Sequence, residues 1–273
     1  MSNSHTIDIH RYHFRQETLE QLSSNSLAQA YWPLVYVLSN ASKRQAYIGE
    51  TTDTINRMRT HLQHDGKRKL TAVHLLQSEK FNKSATLDIE SNLIKYMSAD
   101  GKFTLLNGNL GLVDHNYYQK KQLYSGMFHQ LWNGLRAKGL AQHSIEHLDN
   151  SDLFKYSPYK SLSSDQRQSL LGIMYSLLDD KVKSLIVEGG AGTGKSVLAI
   201  FLFKLLQSEL SDFSFSVLST EETEFRDLLV KLQTKYGKKP KMALVVPMTS
   251  FRTTMKKAFA NVSGLSASME ISP

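Results

Sequence analysis

Glu90 is the residue whose position ordinary packing explains least. Leu87, Ile94 and Met97 recur at helical spacing, and Glu90 stands on the same stripe. Isolated carboxylates are avoided at core-facing positions unless a cation or donor meets them. Glu90 therefore either sits at the edge of the stripe or points into a cleft that holds something positive. Arg57 and His61, four apart, share a face beside the Met58/Leu62 stripe. Taken singly, an arginine there reads as a snorkelling surface residue and a histidine as a structural one. A second set carries its chemistry in its spacing. Residues 189–196 read GGAGTGKS, the pattern G-x-x-x-x-G-K-S. Gly189, Gly192, Thr193 and Gly194 would leave backbone N–H groups open to a phosphate at a helix N-terminus. Lys195 would reach its β and γ oxygens, and Ser196 would ligand Mg²⁺.

The elements that must position these groups can be read from periodicity. LVYVLSN and QAYIGE are β-rich runs joined by the polar NASKRQ, a hairpin. Asp53 suits an N-cap, and TINRMRTHLQ carries apolar residues at helical spacing. KLTAVHLLQ reads as a third strand, Ser84 to Met97 as a helix, and FTLLN as another short strand. A basic amphipathic helix is expected from about Tyr117 to Leu140, then a polar, acidic linker. Beyond it helices and strands alternate. Helices run from Asp165 to Leu178, Gly194 to Leu206, Glu222 to Tyr236 and Ser250 to Ala260, with strands SLIVEGG, FSFSVLS and MALVVPM between them. Such alternation predicts a parallel α/β sheet. The expected divisions are an extension over 1–30, a first domain over 31–116, a helical connector over 117–160 and a second domain over 161–273.

Taken in order, the first set of residues resembles a known family. Tyr36 lies in a V-Y-V strand, and Y-I-G follows at Tyr47, Ile48 and Gly49. Then come Arg57 and His61 in R-x-x-x-H spacing, Glu90 on the next helix, and Asn107 closing L-L-N. Over about residues 34–110 this resembles the GIY-YIG endonucleases, although Val35 and Val37 replace the outer residues of the first motif. The resemblance implies an α+β nuclease domain with a small mixed or antiparallel sheet flanked by helices, acting on DNA. Phosphodiester hydrolysis builds charge on phosphate oxygens, which Arg57 would hold with its planar fork. Glu90 would be the sole protein ligand of one Mg²⁺ or Mn²⁺. Tyr36 would position or deprotonate the nucleophile, helped by the metal, Arg57 or His61, because a free phenol has a pKa near 10. Tyr47 would hydrogen-bond the attacking water or a phosphate. Gly49 would let the backbone approach the phosphate, and Asn107 would brace the site.

The second half has resemblances of its own. YKSLSSDQRQSL is similar to the glutamine motif with which helicases grip adenine, placing Gln166 at an ATP base. MALVVPMTSFRTTMKKAF resembles the segment that follows the phosphate loop in superfamily 1-like helicases of the Schlafen-like group. There Thr249, Ser250 and Arg252 would meet a nucleic-acid backbone. The resemblance implies ATP with Mg²⁺ on a partial RecA-like parallel α/β domain. No later strand ends in the acidic residue that hydrolysis needs, since MALVVPM runs into Thr-Ser and FSVLST reaches Glu221 late. The chain stops at Pro273 before a second such domain, so a missing helicase portion or a homo-oligomer is expected.

Composition sets the limits. No apolar run reaches about 18 residues, which excludes a membrane-spanning helix. The N-terminus lacks the apolar core of a secretory signal. With no cysteine there is no disulfide or thiolate metal site, which fits a cytoplasmic location. A net charge of +8 and a pI of about 9.4 favour a polyanionic partner. Lys67, Arg68 and Lys69 form one basic run, and Lys120, Lys121, Arg136 and Lys138 another stretch. The expected function is a metal-dependent DNA endonuclease coupled to a nucleotide-binding, helicase-like module, an architecture suggesting nucleic-acid restriction or defence. The alternatives are a nucleotide-gated nucleic-acid-binding protein with an idle nuclease site, and an ATP-driven helicase fragment; RNA stays open as substrate.

Overall fold

The stretch expected to be an extension contributes instead an outer strand, β1 (Asp8–His13), and two short helices, α1 (Thr18–Leu22) and α2 (Ser26–Gln29). The sequence DIHRYH hid the strand because its charged and polar residues suit a sheet edge, where side chains meet water and discourage further pairing. The computed structural model describes residues 7–107, 117–151, 154, 162–207, 220–237, 240–245, 248–260 and 269–272. It divides into two units, one of residues 1–105 and 114–150, the other of residues 106–113 and 151–273.

In the first unit the expected hairpin forms as β2 (Leu34–Asn40) and β3 (Gln45–Thr51), with Tyr36 opposite Gly49 and Val35 opposite Glu50. β4 (Ala72–Gln77) pairs antiparallel with both β2 and β1. β5 (Thr104–Leu105) runs parallel to β3 and meets it only at Gln45 and Ala46. The five-stranded mixed sheet thus has the order β1-β4-β2-β3-β5. Successive residues of a strand face opposite sides. The Tyr36 side carries α3 (Thr54–Gln63), which starts where the Asp53 carboxylate accepts the Asn56 N–H at 3.1 Å. The Val35 side carries α4 (Lys83–Asp100), capped by Asn82 at one end and by left-handed Gly101 at the other.

The expected helix near residue 120 begins with a π-helical turn (Lys120–Tyr124) and continues as α5 (Ser125–Ala137). It is no free connector. Gly134 of α5 lies so close to β1 that an added Cβ would meet Ile9 Cδ1 at 2.8 Å. The buried Asp100 carboxylate accepts the backbone N–H groups of Gln142 and His143, fastening the chain after α5 to the end of α4. α6 (Ile145–Asp149) is held by Tyr96, whose hydroxyl donates to Asp149 at 2.8 Å.

The second unit is mainly helical where described. α7 (Ser164–Leu178), α8 (Lys195–Gln207) and α9 (Thr220–Tyr236) share a core built from Leu170, Met174, Phe201, Leu205, Phe225 and Leu229. Then β6 (Met242–Val245), α10 (Thr249–Ala260) and β7 (Met269–Ser272) form a parallel β-α-β pair. Among the described residues there is no RecA-like parallel sheet, which corrects the expected fold. SLIVEGG is irregular, with Ile186 84% exposed, and β6 pairs with β7 instead. A strand requires a hydrogen-bonded neighbour, and none of the described strands pairs with residues 184–190. FSFSVLS lies outside the described residues. No described helix is long and apolar enough to cross a membrane.

Candidate active site

The hairpin register sets the geometry of the first site. Tyr36 and Gly49 face each other across the central strands, and the Tyr36 ring lies over Gly49 so closely that a Cβ there would stand 2.2 Å from Oη. Gly49 therefore makes room for a phenol, whereas the sequence suggested room for a phosphate. On α3, Arg57 and His61 both turn to the same hydroxyl. Arg57 Nε donates to Tyr36 Oη at 3.0 Å, and His61 Nε2 lies 2.7 Å from it. Tyr47 closes the group, its ring 5.1 Å from that of His61 in an edge-on contact.

Protonation follows from this enclosure. Burial first, then the charges of Lys67, Arg57 and His64, lower His61 to about 2, so the imidazole is neutral. With its proton on Nδ1, its Nε2 accepts from the Tyr36 hydroxyl while Arg57 donates to the same oxygen. Burial, then Tyr47, push the Tyr36 phenol well above its ordinary range, and Arg57 pulls the other way. Burial opposes the Arg57 charge, but Tyr36, Tyr47 and Glu90 more than offset it and hold the guanidinium firmly cationic.

Glu90 faces inward and does not lie at the edge of its stripe. It is 4% exposed on α4, hydrogen-bonded to the Glu50 backbone beyond the short stretch that β5 covers. Burial, then the charge of Glu50, raise its carboxyl to about 8, while Arg57 and Lys83 draw it down. Burial and a neighbouring acid thus favour the protonated form, and a hard divalent cation is the kind of partner that could hold the carboxylate ionised. Among the described residues no three His, Asp or Glu groups converge on a metal position. One protein ligand is thus what the donor set offers, with water and phosphate oxygens left to complete a shell. Sequence reading missed two neighbours. The Glu50 carboxylate is buried and takes a bidentate ion pair from Lys83 at 2.6 and 2.7 Å, with Thr86 also donating to it. An acid inside the apolar QAYIGE strand was the available signal, because it needs a cation, and Lys83 at the start of α4 supplies one. Asn107 is buried in the coil beyond β5 and groups with the second unit.

Residues 33–101 match the GIY-YIG catalytic domain. The matched segment runs from just before β2 to the cap of α4, and so contains Tyr36, Tyr47, Arg57, His61 and Glu90. Neither the curated proteins nor the solved structures returned a match. β1, α1, α2, α5 and α6 are built onto the GIY-YIG segment from outside the matched range.

The second unit holds the other predicted set. Gly192 and Gly194 have φ of +77° and +89°, a conformation that favours glycine. Thr193 Oγ1 donates to the Gly190 carbonyl at 2.9 Å, and α8 begins at Lys195. The Lys195 ammonium folds back onto the carbonyls of Gly189 and Gly190 at 2.6 and 2.8 Å. Ser196 is exposed beside it. Gln166 is committed to supporting this loop. Its Oε1 accepts the Ser163 N–H at 3.1 Å in a capping box, and its Nε2 donates to the Thr193 carbonyl at 2.9 Å. Arg252 Nη2 donates to Thr249 Oγ1 at 2.8 Å, and Ser250 is exposed in the same turn of α10.

Proposed function

We propose that the GIY-YIG segment hydrolyses phosphodiester bonds in DNA with one divalent cation. The observation that carries this reading is the Tyr36 hydroxyl held between a neutral histidine nitrogen and a guanidinium. His61 Nε2 accepts a hydrogen bond from the Tyr36 hydroxyl while Arg57 donates to the same oxygen, which fixes the hydroxyl in place. Tyr36 then orients or deprotonates the attacking water, and the partly exposed Arg57 meets the charge that builds on the phosphate. Tyr47 holds the water or a phosphate oxygen from the other side. Glu90 would hold Mg²⁺ or Mn²⁺, which supplies Lewis-acid stabilisation of the phosphate charge.

The test is incubation of supercoiled plasmid with the protein and Mg²⁺ or Mn²⁺, beside Tyr36→Phe and Glu90→Ala. Metal-dependent nicking that disappears in both variants is expected. Tight, salt-sensitive binding without cleavage would sink the reading and favour a binding protein with an idle site. A single-stranded RNA of matched length decides between the nucleic acids.

We further propose that Gly189, Gly192, Thr193, Gly194, Lys195 and Ser196 bind the phosphates of ATP with Mg²⁺, and that this module is helicase-like and regulates cleavage. The left-handed glycines and the helix starting at Lys195 support it. Binding of a fluorescent ATP analogue, lost in Lys195→Ala, is expected, as is a change in nicking rate on adding ATP. ATP turnover is not expected, because none of the described strands supplies a following carboxylate. Challenging cells that carry the gene with foreign DNA tests the restriction or defence role.

A further inference from the structure

The turn after α3 splits the basic run Lys67-Arg68-Lys69. Arg68 and Lys69 face solvent, Arg68 paired with Asp65 at 3.0 Å, while Lys67 is 4% exposed. Lysine is almost never fully buried without compensation, because desolvating an ammonium is costly. Here the ammonium stands 3.9 Å from the centre of the Tyr47 ring. The turn itself is built for that direction. The His64 ring accepts the backbone N–H of Gly66 at 3.1 Å and of Lys67 at 3.4 Å, and Arg68 N–H closes onto the His64 carbonyl at 2.9 Å. Two further facts tie Lys67 to the site. The ring it covers is edge-on to His61, and its charge acts more strongly on that imidazole than those of Arg57 and His64.

We infer that Lys67 is a positioning residue for phosphodiester hydrolysis, acting through Tyr47. An ammonium on the face of a desolvated phenol ring is attracted by the ring quadrupole, which fixes the ring plane. That plane decides where the Tyr47 hydroxyl points. The same cation draws electron density from the ring and makes the hydroxyl a stronger hydrogen-bond donor to the nucleophilic water or the phosphate. Lys67 itself stays behind the ring and does not touch substrate.

The inference rests on the nuclease reading, and the two fail differently. A wild-type protein inert with Mg²⁺ and Mn²⁺ overturns both, whereas an active wild type leaves Lys67 to be judged by its own variants. Lys67→Met, Lys67→Arg, Tyr47→Phe and the double variant Lys67→Met/Tyr47→Phe are compared in the full chain. Lys67→Met is expected to lower kcat by on the order of 10²-fold, the usual effect of a small misplacement near the chemistry. KM and the salt dependence of DNA binding should stay within about twofold, because no phosphate contact is lost. Lys67→Arg, which can still stack on the ring, should recover most of kcat. The double variant should be no slower than Tyr47→Phe alone. Additive losses in the double variant would overturn the inference, as would a raised KM with a shallower salt slope, which marks a phosphate contact. Equal losses in Lys67→Met and Lys67→Arg with lowered melting temperatures would mark Lys67 as merely structural and overturn it too.

Discussion

Replacing Gly49 by alanine adds one methyl group at the point where the fold has none to spare. An added Cβ would lie 2.2 Å from Tyr36 Oη and 2.4 Å from Cζ, where ordinary contact begins at 3.4 Å. The Tyr36 ring must therefore retreat by roughly 1 Å, since the competing atom is on the facing strand and a packed core yields little. That shift breaks the 2.7 Å contact to His61 and the 3.0 Å bond from Arg57. Overpacking costs about 1–3 kcal/mol, and a buried hydroxyl and guanidinium left short of partners cost about 1–3 kcal/mol more. Gly49→Ala should lose on the order of 2–6 kcal/mol in urea unfolding and about 10²-fold in plasmid nicking. Adding Tyr36→Phe should recover only part of the stability, because Cζ is nearly as close as Oη. Gly126→Ala is the control: nothing lies within 4 Å of its Cβ position in α5, and it should gain up to about 1 kcal/mol. Gly49→Ala with an unchanged urea midpoint and wild-type nicking would refute the tight apposition of Tyr36 and Gly49.

Further predictions concern charge and capping. Glu90 titrates at about 8 in the fold against an ordinary 4.5, so its contribution to stability is full below about 4.5 and lost as pH rises through 8. Glu90→Gln should therefore raise the urea midpoint at pH 8.5 without divalent cation, yet abolish metal-dependent cleavage; a lower midpoint there contradicts the assignment. His74, buried on the Val37 side of the sheet, is lowered to about 4 from 6.5 by burial, then by Arg11, against a hydrogen bond with the Val37 backbone. Its contribution is present above about 6.5 and is lost as pH falls towards 4, so His74→Val should flatten that part of the stability profile. Asp53→Ala should cost about 1 kcal/mol by uncapping α3, and nicking should weaken in step with helix fraying as temperature rises.

What could be read from the sequence was whatever local spacing determines. The β2–β3 hairpin, α3 with its Asp53 cap and the course of α4 follow from period and cap chemistry among residues close in sequence, whereas spacing alone left Glu90 between the edge of its stripe and an inward position. The pairing of Arg57 with His61 was equally local, because four residues is one helical turn. What both side chains address was not, since Tyr36 lies 21 residues before Arg57 and reaches it only through the sheet. Lys67 was invisible for another reason: a run of three cations reads as a solvated patch until a turn sorts one of them inward. β1 escaped because edge strands carry no apolar alternation, and its partners in β4, from Ala72 opposite His13 to Gln77 opposite Asp8, are far along the chain. The SLIVEGG run misled in the opposite sense, being β-rich in composition but without a described neighbour to pair with.

Pairing of β1 with β4 also fixes how this protein can be cut. A fragment limited to residues 33–101 would keep Tyr36, Arg57, His61 and Glu90 but lose both β1 and α5. Its β4 would then present the backbone of six buried residues, Ala72 to Gln77, as a bare hydrogen-bonding edge. Such a fragment should associate edge to edge, whereas one spanning residues 7–150 keeps the edge covered and should remain monodisperse by size-exclusion chromatography. The stretch that carries the reaction and the stretch that can be handled as a separate molecule are different lengths of chain.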